Sequence, residues 1–420
     1  MKRLIALLLT VAALAYADPQ KISADCGSGT DDTPMNVVVT LDKTPDSSDV
    51  QKITNIGGVV RAVLPNVRAI SARMSRRMMD QESNDASVVF ISADRAVRAT
   101  SLDFGPDAVY APSAWASGLD GSGVTVAVVD SGIRQHDDLF TSGKAPFRVV
   151  YSESFTADRL TDDAFGHGTH VAGLIAGDGT DSSTKGAFYT IRGIAPKVRL
   201  ASFRVLDAKG YGTDSAVVAA IDRVIQLKDQ LGIRVVNLSL GRPVFESYQM
   251  DPLCRAVERA WAAGLVVVIA AGNDGRNNFS GNQGYATINA PGNDPYAITV
   301  GVMKTMDTPQ RGDDLIASYS SKGPTLYDHV VKPDLVAPGN RAASLLAYRG
   351  TLAVAYPANL VASTEYRRGG QLSYDYFRLS GTSMAAAVTS GAAAILLQQS
   401  PGLTPDQVKA RLMRTAGKQF

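Results

Sequence analysis

Cysteine is nearly absent from this 420-residue chain: Cys26 and Cys254 are the only two, so no disulfide framework can hold it together. An excess of charge of either sign is missing as well. Forty-two Lys and Arg oppose 40 Asp and Glu, a formal +2, and no basic run is long enough to read as a nucleic-acid stripe. Polyanionic partners are therefore not expected. No apolar run reaches the roughly 20 residues that cross a bilayer; the stretch from Leu4 to Leu14 falls short, and there is neither a tandem repeat nor a low-complexity tract.

What remains is ordinary globular material, 45% apolar and 20% charged, long enough for about two to three domains at roughly 150 residues each. Lys2 and Arg3 ahead of the Leu4–Leu14 stretch, then Ala15, Tyr16 and Ala17, fit a secretory signal cut after Ala17. Residues 18–35 are Gly-, Asp- and Ser-rich, the composition of a flexible leader. Val37 to Leu41 reads as a strand, and Ser47 or Ser48 caps a short helix closed by Gly57 and Gly58. Strands at Val59–Val63 and Val67–Ala72, a helix at Met74–Glu82 and a strand at Ser87–Ser92 complete a βαββαβ order, a small α+β unit of the split βαβ, ferredoxin-like kind. Residues 93–112 show no periodicity and read as a linker.

Beyond Gly123 the pattern changes. Val124–Val129, Val235–Leu240 and Leu265–Ala271 are near-continuous apolar runs, as parallel strands buried on both faces require, and a helical stretch Pro252–Ala263 lies between the last two. This alternation predicts an α/β domain with a doubly wound, mostly parallel sheet. Ligands in such sheets sit at the carboxyl ends of the strands, which directs attention to Asp130, Ser239 and Asn273.

Four segments could carry chemistry, and each has an ordinary alternative. Asp130-Ser131-Gly132 follows a strand, where an Asp can simply close a turn; a second copy, as an aspartic dyad needs, does not occur. His167 and His170 lie three residues apart at a helix start. A metal pair is one reading, but no Glu stands between them as in His-Glu-x-x-His hydrolases, and a base beside a packing histidine is the other. Ser383 opens an Ala-rich helix, where free N–H groups favour developing negative charge, although serine is also a common N-cap. Asn273 follows Ala270-Ala271-Gly272 and is either an amide donor or a turn residue.

Together, Val-Ala-Val-Val-Asp130-Ser-Gly-Ile, Gly-His167-Gly-Thr-His-Val-Ala-Gly, Ala-Ala-Gly-Asn273 and Gly-Thr-Ser383-Met-Ala resemble the signature segments of the subtilisin-like serine proteases, in that family's order. Asn237-Leu-Ser-Leu-Gly241 and Lys332-Pro-Asp-Leu-Val-Ala-Pro-Gly339 agree, and the likeness spans roughly residues 105–415. The resemblance implies Ser383 as nucleophile, His167 as general base and acid, Asp130 as the group orienting the imidazole, and Asn273 as oxyanion donor. It further implies Ser239, Leu240 and Gly241 as a substrate-pairing strand, with Ala271 and Gly272 forming another pocket wall suited to an apolar side chain.

On this resemblance residues 1–17 are a signal peptide, 18–102 a propeptide acting as chaperone and inhibitor, and 103–420 the catalytic domain. Self-cleavage is expected between Arg95 and Leu102, and Cys26 would leave with the propeptide. The expected product is a secreted, monomeric endopeptidase acting on proteins or peptides, with no catalytic cofactor, no nucleic acid and no membrane partner. Structural calcium is left open: Asp138 stands where one ligand is expected, but residues 178–185 carry no recognisable ligand pattern. His136 and His329 read as surface or turn residues. Ala386, Ala387 and Val388 depart from the family pattern, and the chain ends at Phe420, short of the closing strand and helix the resemblance implies. Those departures sustain one alternative, a catalytically idle peptide-binding homologue that keeps its propeptide; a metal hydrolase using His167 and His170 is another.

Overall fold

A computed structural model describes residues 21–26, 33–99, 105–141, 144–278, 281–306, 308 and 311–418. The expected signal segment and the expected domain boundary at 102 lie outside the described residues. The N-terminal unit has the order read from sequence: β1 (Met35–Leu41), α1 (Ser47–Asn55), β2 (Val59–Leu64), β3 (Ala69–Met74), α2 (Arg76–Glu82) and β4 (Val88–Ala93). Its sheet is antiparallel in the order β2-β3-β1-β4. Asp46, one residue before the expected caps, caps α1 through Ser48 N and Asp49 N. Strand β3 starts two residues later than expected because Pro65–Val67 forms a 3-10 turn.

Two expectations for this unit need correction. Residues 21–26 are not a loose leader: Ile22 bridges Ile91, and Ile22 and Cys26 are buried in the unit's apolar core. Nor are residues 93–112 only a linker, since Ala96–Ala99 form a strand, β5. Both segments lack the alternation of a half-buried strand or helix, so pattern reading misses them; they are ordered by partners distant in sequence.

The larger unit is built on seven parallel strands: β6 (Thr125–Asp130), β7 (Val149–Ser154), β8 (Arg199–Arg204), β10 (Ile233–Leu238), β12 (Val266–Ala270), β13 (Ile298–Lys304) and β14 (Leu335–Pro338). Short strands β9 (Tyr211–Thr213) and β11 (Leu240–Gly241) lie outside this sheet. The spatial order is β7-β8-β6-β10-β12-β13-β14, so the chain reverses direction of winding at β6. All residues of β6 and β12 are buried, as their unbroken apolar runs require.

Two helix pairs cover this sheet. Helices α3 (His167–Ala176) and α6 (Thr382–Gln399) pack on each other and on the central strands; α4 (Asp214–Leu231) and α5 (Pro252–Ala262) form the second pair. Helix α7 (Pro405–Thr415), not anticipated from sequence, is capped by Thr404 and packs against α6 and β12.

The N-terminal unit docks on α4 and α5. Val38, Leu64, Val67 and Ala69 join the core of the larger unit, Asn66 N donates to Asp222 Oδ1 at 2.8 Å, and Asp94 accepts from Ser215 N at 2.5 Å and from Ser215 Oγ. Asp94 thereby supplements Thr213, the N-cap of α4. Asp94→Ala is expected to cost about 1 kcal/mol, a fall of roughly 2–4 °C in the thermal midpoint for a chain of this size. An unchanged midpoint in calorimetry means that Thr213 caps α4 alone.

Candidate active site

The switch in winding places the end of β6 beside the start of α3. His167 Nδ1 lies 2.8 Å from Asp130 Oδ1 and 2.9 Å from Oδ2, and both side chains are buried. Carboxylate oxygens only accept, so Nδ1 carries a proton, and in the neutral imidazole the lone pair is then on Nε2. Gly168 permits the approach: a Cβ there would stand 2.2 Å from the Gly132 carbonyl and 3.2 Å from Asp130 Oδ1.

Asp163, not singled out from sequence, secures this helix start. Its Oδ1 accepts from Ser131 Oγ at 2.9 Å and Gly166 N at 2.7 Å; its Oδ2 accepts from Thr169 N at 2.8 Å and Thr169 Oγ1 at 2.6 Å. Ser131 Oγ in turn accepts from Gly168 N at 2.9 Å. Burial pushes the Asp163 carboxyl up, while these donors pull it down. Nothing in the sequence distinguishes Asp163 from a surface aspartate, because its role depends on partners gathered by folding.

Ser383 is the second residue of α6, buried, and its Oγ donates to the Ser239 carbonyl at 3.1 Å. Ser239 Oγ returns a bond to the Ser383 carbonyl at 2.7 Å, and Asn237 Nδ2 donates to Ser239 Oγ at 2.8 Å. The strand end and the helix start are thus locked reciprocally. The residues that depart from the family pattern, Ala386, Ala387 and Val388, sit buried within an unbroken helix.

Asn273 adjoins that helix start. Its Oδ1 accepts from Thr382 N at 3.0 Å, which fixes the orientation of the amide because a backbone N–H only donates. Its Nδ2 is buried and has no hydrogen-bond partner. A buried, unsatisfied donor costs roughly 1–3 kcal/mol, so it marks a place prepared for an acceptor. Before it, Gly272 has φ of +104°, and a Cβ would lie 2.8 Å from Asn289 Cγ and Ser321 Oγ, so position 272 must be free of a side chain.

His170, the second histidine of the pair, points elsewhere. Its Nε2 faces the carbonyls of Ala342 and Phe377 at 3.2 and 3.0 Å, and it is fully buried. This geometry serves packing and not a metal shared with His167.

Leu240 and Gly241 pair antiparallel with β5, whose other edge pairs with Tyr211–Thr213. The chain's own segment Ala96–Ala99 therefore lies as the middle strand of three in the cleft beside Ser383.

A model for the subtilase family matches residues 121–420. The chain belongs to the subtilase family of serine-type peptidases. It is 37% identical over 324 residues to the serine protease AprX of Bacillus subtilis strain 168, covering 76% of this chain and 67% of that protein. It is 32% identical over 367 residues to subtilisin E of the same strain, covering 87% and 79%. Fervidolysin from Fervidobacterium pennivorans, a keratinolytic enzyme related to subtilisin, shares the fold with a TM-score of 0.67 at 21% identity; the match covers 94% of this chain and 59% of that structure.

Calcium is common in subtilases, and Asp138 is where the resemblance puts a ligand. The surrounding residues do not fit that ion. Asp138 Oδ1 accepts from Asp181 N at 2.8 Å, Oδ2 accepts from Tyr376 OH at 2.7 Å, and the Asp138 carbonyl accepts from the Arg148 guanidinium at 2.6 Å. His136, against expectation, is largely buried here: its Nδ1 accepts from Asp138 N at 3.2 Å and lies 3.6 Å from Asp181 Oδ2. Calcium seeks six to eight oxygens. Here His136, Asp138 and Asp181 offer one imidazole nitrogen and two carboxylate oxygens within 4.8 Å of one another, a set short of that all-oxygen shell.

Two outcomes follow. Millimolar calcium added to chelator-treated protein is expected to leave the thermal midpoint within about a degree, whereas a ligand at a hundred times its Kd would add about 2.7 kcal/mol. A rise of several degrees refutes this assignment. Burial, with the neighbouring His167, lowers the His170 pKa to about 3. An unfolded histidine takes its proton near 6.5, so between about pH 6.5 and about 3 the unfolded state holds the extra proton and stability falls as pH falls. Denaturant melts of the native protein and of His170→Gln should differ in slope over this window by about one proton, the native protein losing more stability as pH falls.

Proposed function

We propose that the protein is a secreted serine endopeptidase, made as a precursor that cuts itself, with Ser383 as nucleophile, His167 as general base and Asp130 as its orienting partner. Ser383 Oγ attacks the carbonyl carbon of the scissile peptide, and His167 Nε2 takes the hydroxyl proton. Asp130 stabilises the imidazolium by accepting from Nδ1. The carbonyl oxygen, negative in the tetrahedral intermediate, accepts from Asn273 Nδ2, the donor otherwise without a partner, and from the N–H of Ser383 at the helix start. The C–N bond breaks, His167 passes its proton to the leaving amine, and water, activated by the same imidazole, hydrolyses the Ser383 ester.

The observation that carries this reading is the register of β5. Ala99 faces Leu240 and Arg98 faces Gly241. Ser239, next to Leu240, holds Ser383 Oγ through its carbonyl, and the bond we assign for cleavage is accordingly the one after position 100. Residues 18–100 are then the propeptide, held on the catalytic unit by the contacts to α4 and α5, and its last strand marks how an extended substrate binds. The pocket walls Ser239–Gly241 and Ala271–Gly272 offer small and apolar surface to the side chain before the scissile bond. Among the described residues no helix is long and apolar enough to cross a membrane, and the proposed signal at 1–17 accounts for export.

Expression from Asp18, followed by mass and N-terminal sequencing during refolding, tests the proposal. The native chain should shed its N-terminal unit and expose Ser101 as the new N-terminus, and Ser383→Ala should stay whole with an unchanged fold. Asn273→Ala should lower turnover about 10²–10³-fold, a magnitude carried over from subtilisin itself. If the folded native chain also stays whole, the idle peptide-binding alternative replaces the protease.

A further inference from the structure

Immediately before β5, Arg95 is buried, and its backbone carbonyl accepts from Asp214 N at 2.8 Å. Its guanidinium grips Glu246 with two bonds, Nη1 to Oε1 at 2.5 Å and Nη2 to Oε2 at 2.6 Å, and stands 3.8 Å from Asp214 Oδ2. It also lies over the Phe245 ring, 4.8 Å from the centroid. From the N-terminal unit, Asp25 accepts from Nε at 2.8 Å and from Nη2 at 2.9 Å, and Ser23 Oγ accepts from Nη2 at 2.6 Å.

The groups divide between the two units in an unbalanced way. Asp25 and Ser23 would leave with Arg95 on processing, whereas Glu246, Asp214, Asp251, Arg242 and Phe245 stay. Arg242 is already committed, 3.0 Å from Asp214 Oδ2 and 2.8 Å from Asp251 Oδ2, and only 3.9 Å is its approach to Glu246. Three buried carboxyls then face one guanidinium, and Glu246 loses both of its bonds to Arg95. Ser23 Oγ, which also donates to Glu246 Oε2 at 3.0 Å, leaves with Arg95, so the carboxylate is freed of its side-chain partners and open to a new cation. Burial, followed by Asp251, raises the Glu246 carboxyl, and Arg95 works against both.

We propose that Glu246, Asp214 and the Phe245 ring form an arginine-binding subsite of the processed protease, filled by Arg95 in the precursor and by an arginine side chain of a peptide substrate afterwards. The inference rests on the proposed self-processing and deepens it. Counting back from position 100, Arg95 is the sixth residue before the scissile bond, so the subsite reads the sixth residue of a bound substrate strand. Its position is set by the backbone: Asp214 N fixes the main chain at this point, and β5 is paired over Ala96–Arg98 on one edge and over Arg98–Ala99 on the other. Arginine is favoured over lysine because the planar fork meets both Glu246 oxygens at once and stacks on Phe245, which an ammonium cannot do together.

The test uses processed enzyme and four internally quenched peptides that differ only at the sixth residue before the cut: Arg, Lys, Ala or Glu. The Arg peptide is expected to exceed the Ala peptide in kcat/KM by about tenfold or more, with Lys between them and Glu lowest. In Glu246→Gln the Arg-to-Ala ratio should collapse towards one. Equal kcat/KM for the Arg and Ala peptides in native enzyme overturns the subsite while leaving the protease reading intact. This comparison needs no variant to fold. Failure to cleave any of the four peptides overturns the protease reading and the subsite with it.

Discussion

The buried contact between Asp130 and His167 is the constraint on which the rest of the site depends. A carboxylate and an imidazole removed from water are costly unless every remaining polar atom near them is satisfied. The end of β6 and the start of α3 meet that demand through Ser131 and Asp163, which bind the N–H groups of Gly166, Gly168 and Thr169. The same approach forbids any side chain at Gly168. Sheet winding, helix entry and side-chain chemistry are therefore one geometric problem, solved at the point where the strand order reverses.

Helix α6 supplies the opposing half. It is buried along nearly its whole length and rich in alanine, so it can run close to several central strands, and its buried hydroxyls at Thr389 and Ser390 are bonded to the Ala385 carbonyl and to Asn237 Oδ1. That explains why Ala386 and Ala387 are accommodated: what positions Ser383 is the reciprocal bonding with Ser239 and the Thr382–Asn273 bond, not the identity of the residues a turn later. The cost is concentrated in one atom, Asn273 Nδ2, left without a partner where the proposed oxyanion would form.

The N-terminal unit is held by apolar packing on α4 and α5 and by polar contacts that extend the helix cap and the cleft ladder. Placing Arg95 among Glu246, Asp25 and Asp214 joins the charge balance of the docked unit to that of the cleft. An inhibitor that leaves behind an unfilled carboxylate also leaves behind a preference, and this is the physical link between the proposed processing and the proposed selectivity.

Local pattern was sufficient for the βαββαβ order, the parallel strands and the ordered segments around Asp130, His167, Asn273 and Ser383, because strand burial and family signatures are written in neighbouring residues. Residue types alone could not tell which of His167 and His170 packs; carbonyls of Ala342 and Phe377, some 170 to 210 positions away, hold His170. Nor could local pattern find Asp163, the strand at Ala96–Ala99, the packed residues 21–26, or the grouping of His136 and Asp181 around Asp138 where calcium was left open. Each of these depends on a hydrogen bond, ion pair or β-ladder between distant segments. The amino-acid order by itself determined which residues could do the chemistry, since reactivity and local conformation are properties of short stretches. Only the tertiary structure decided which of them meet, because burial and partnership exist only once the chain has closed on itself.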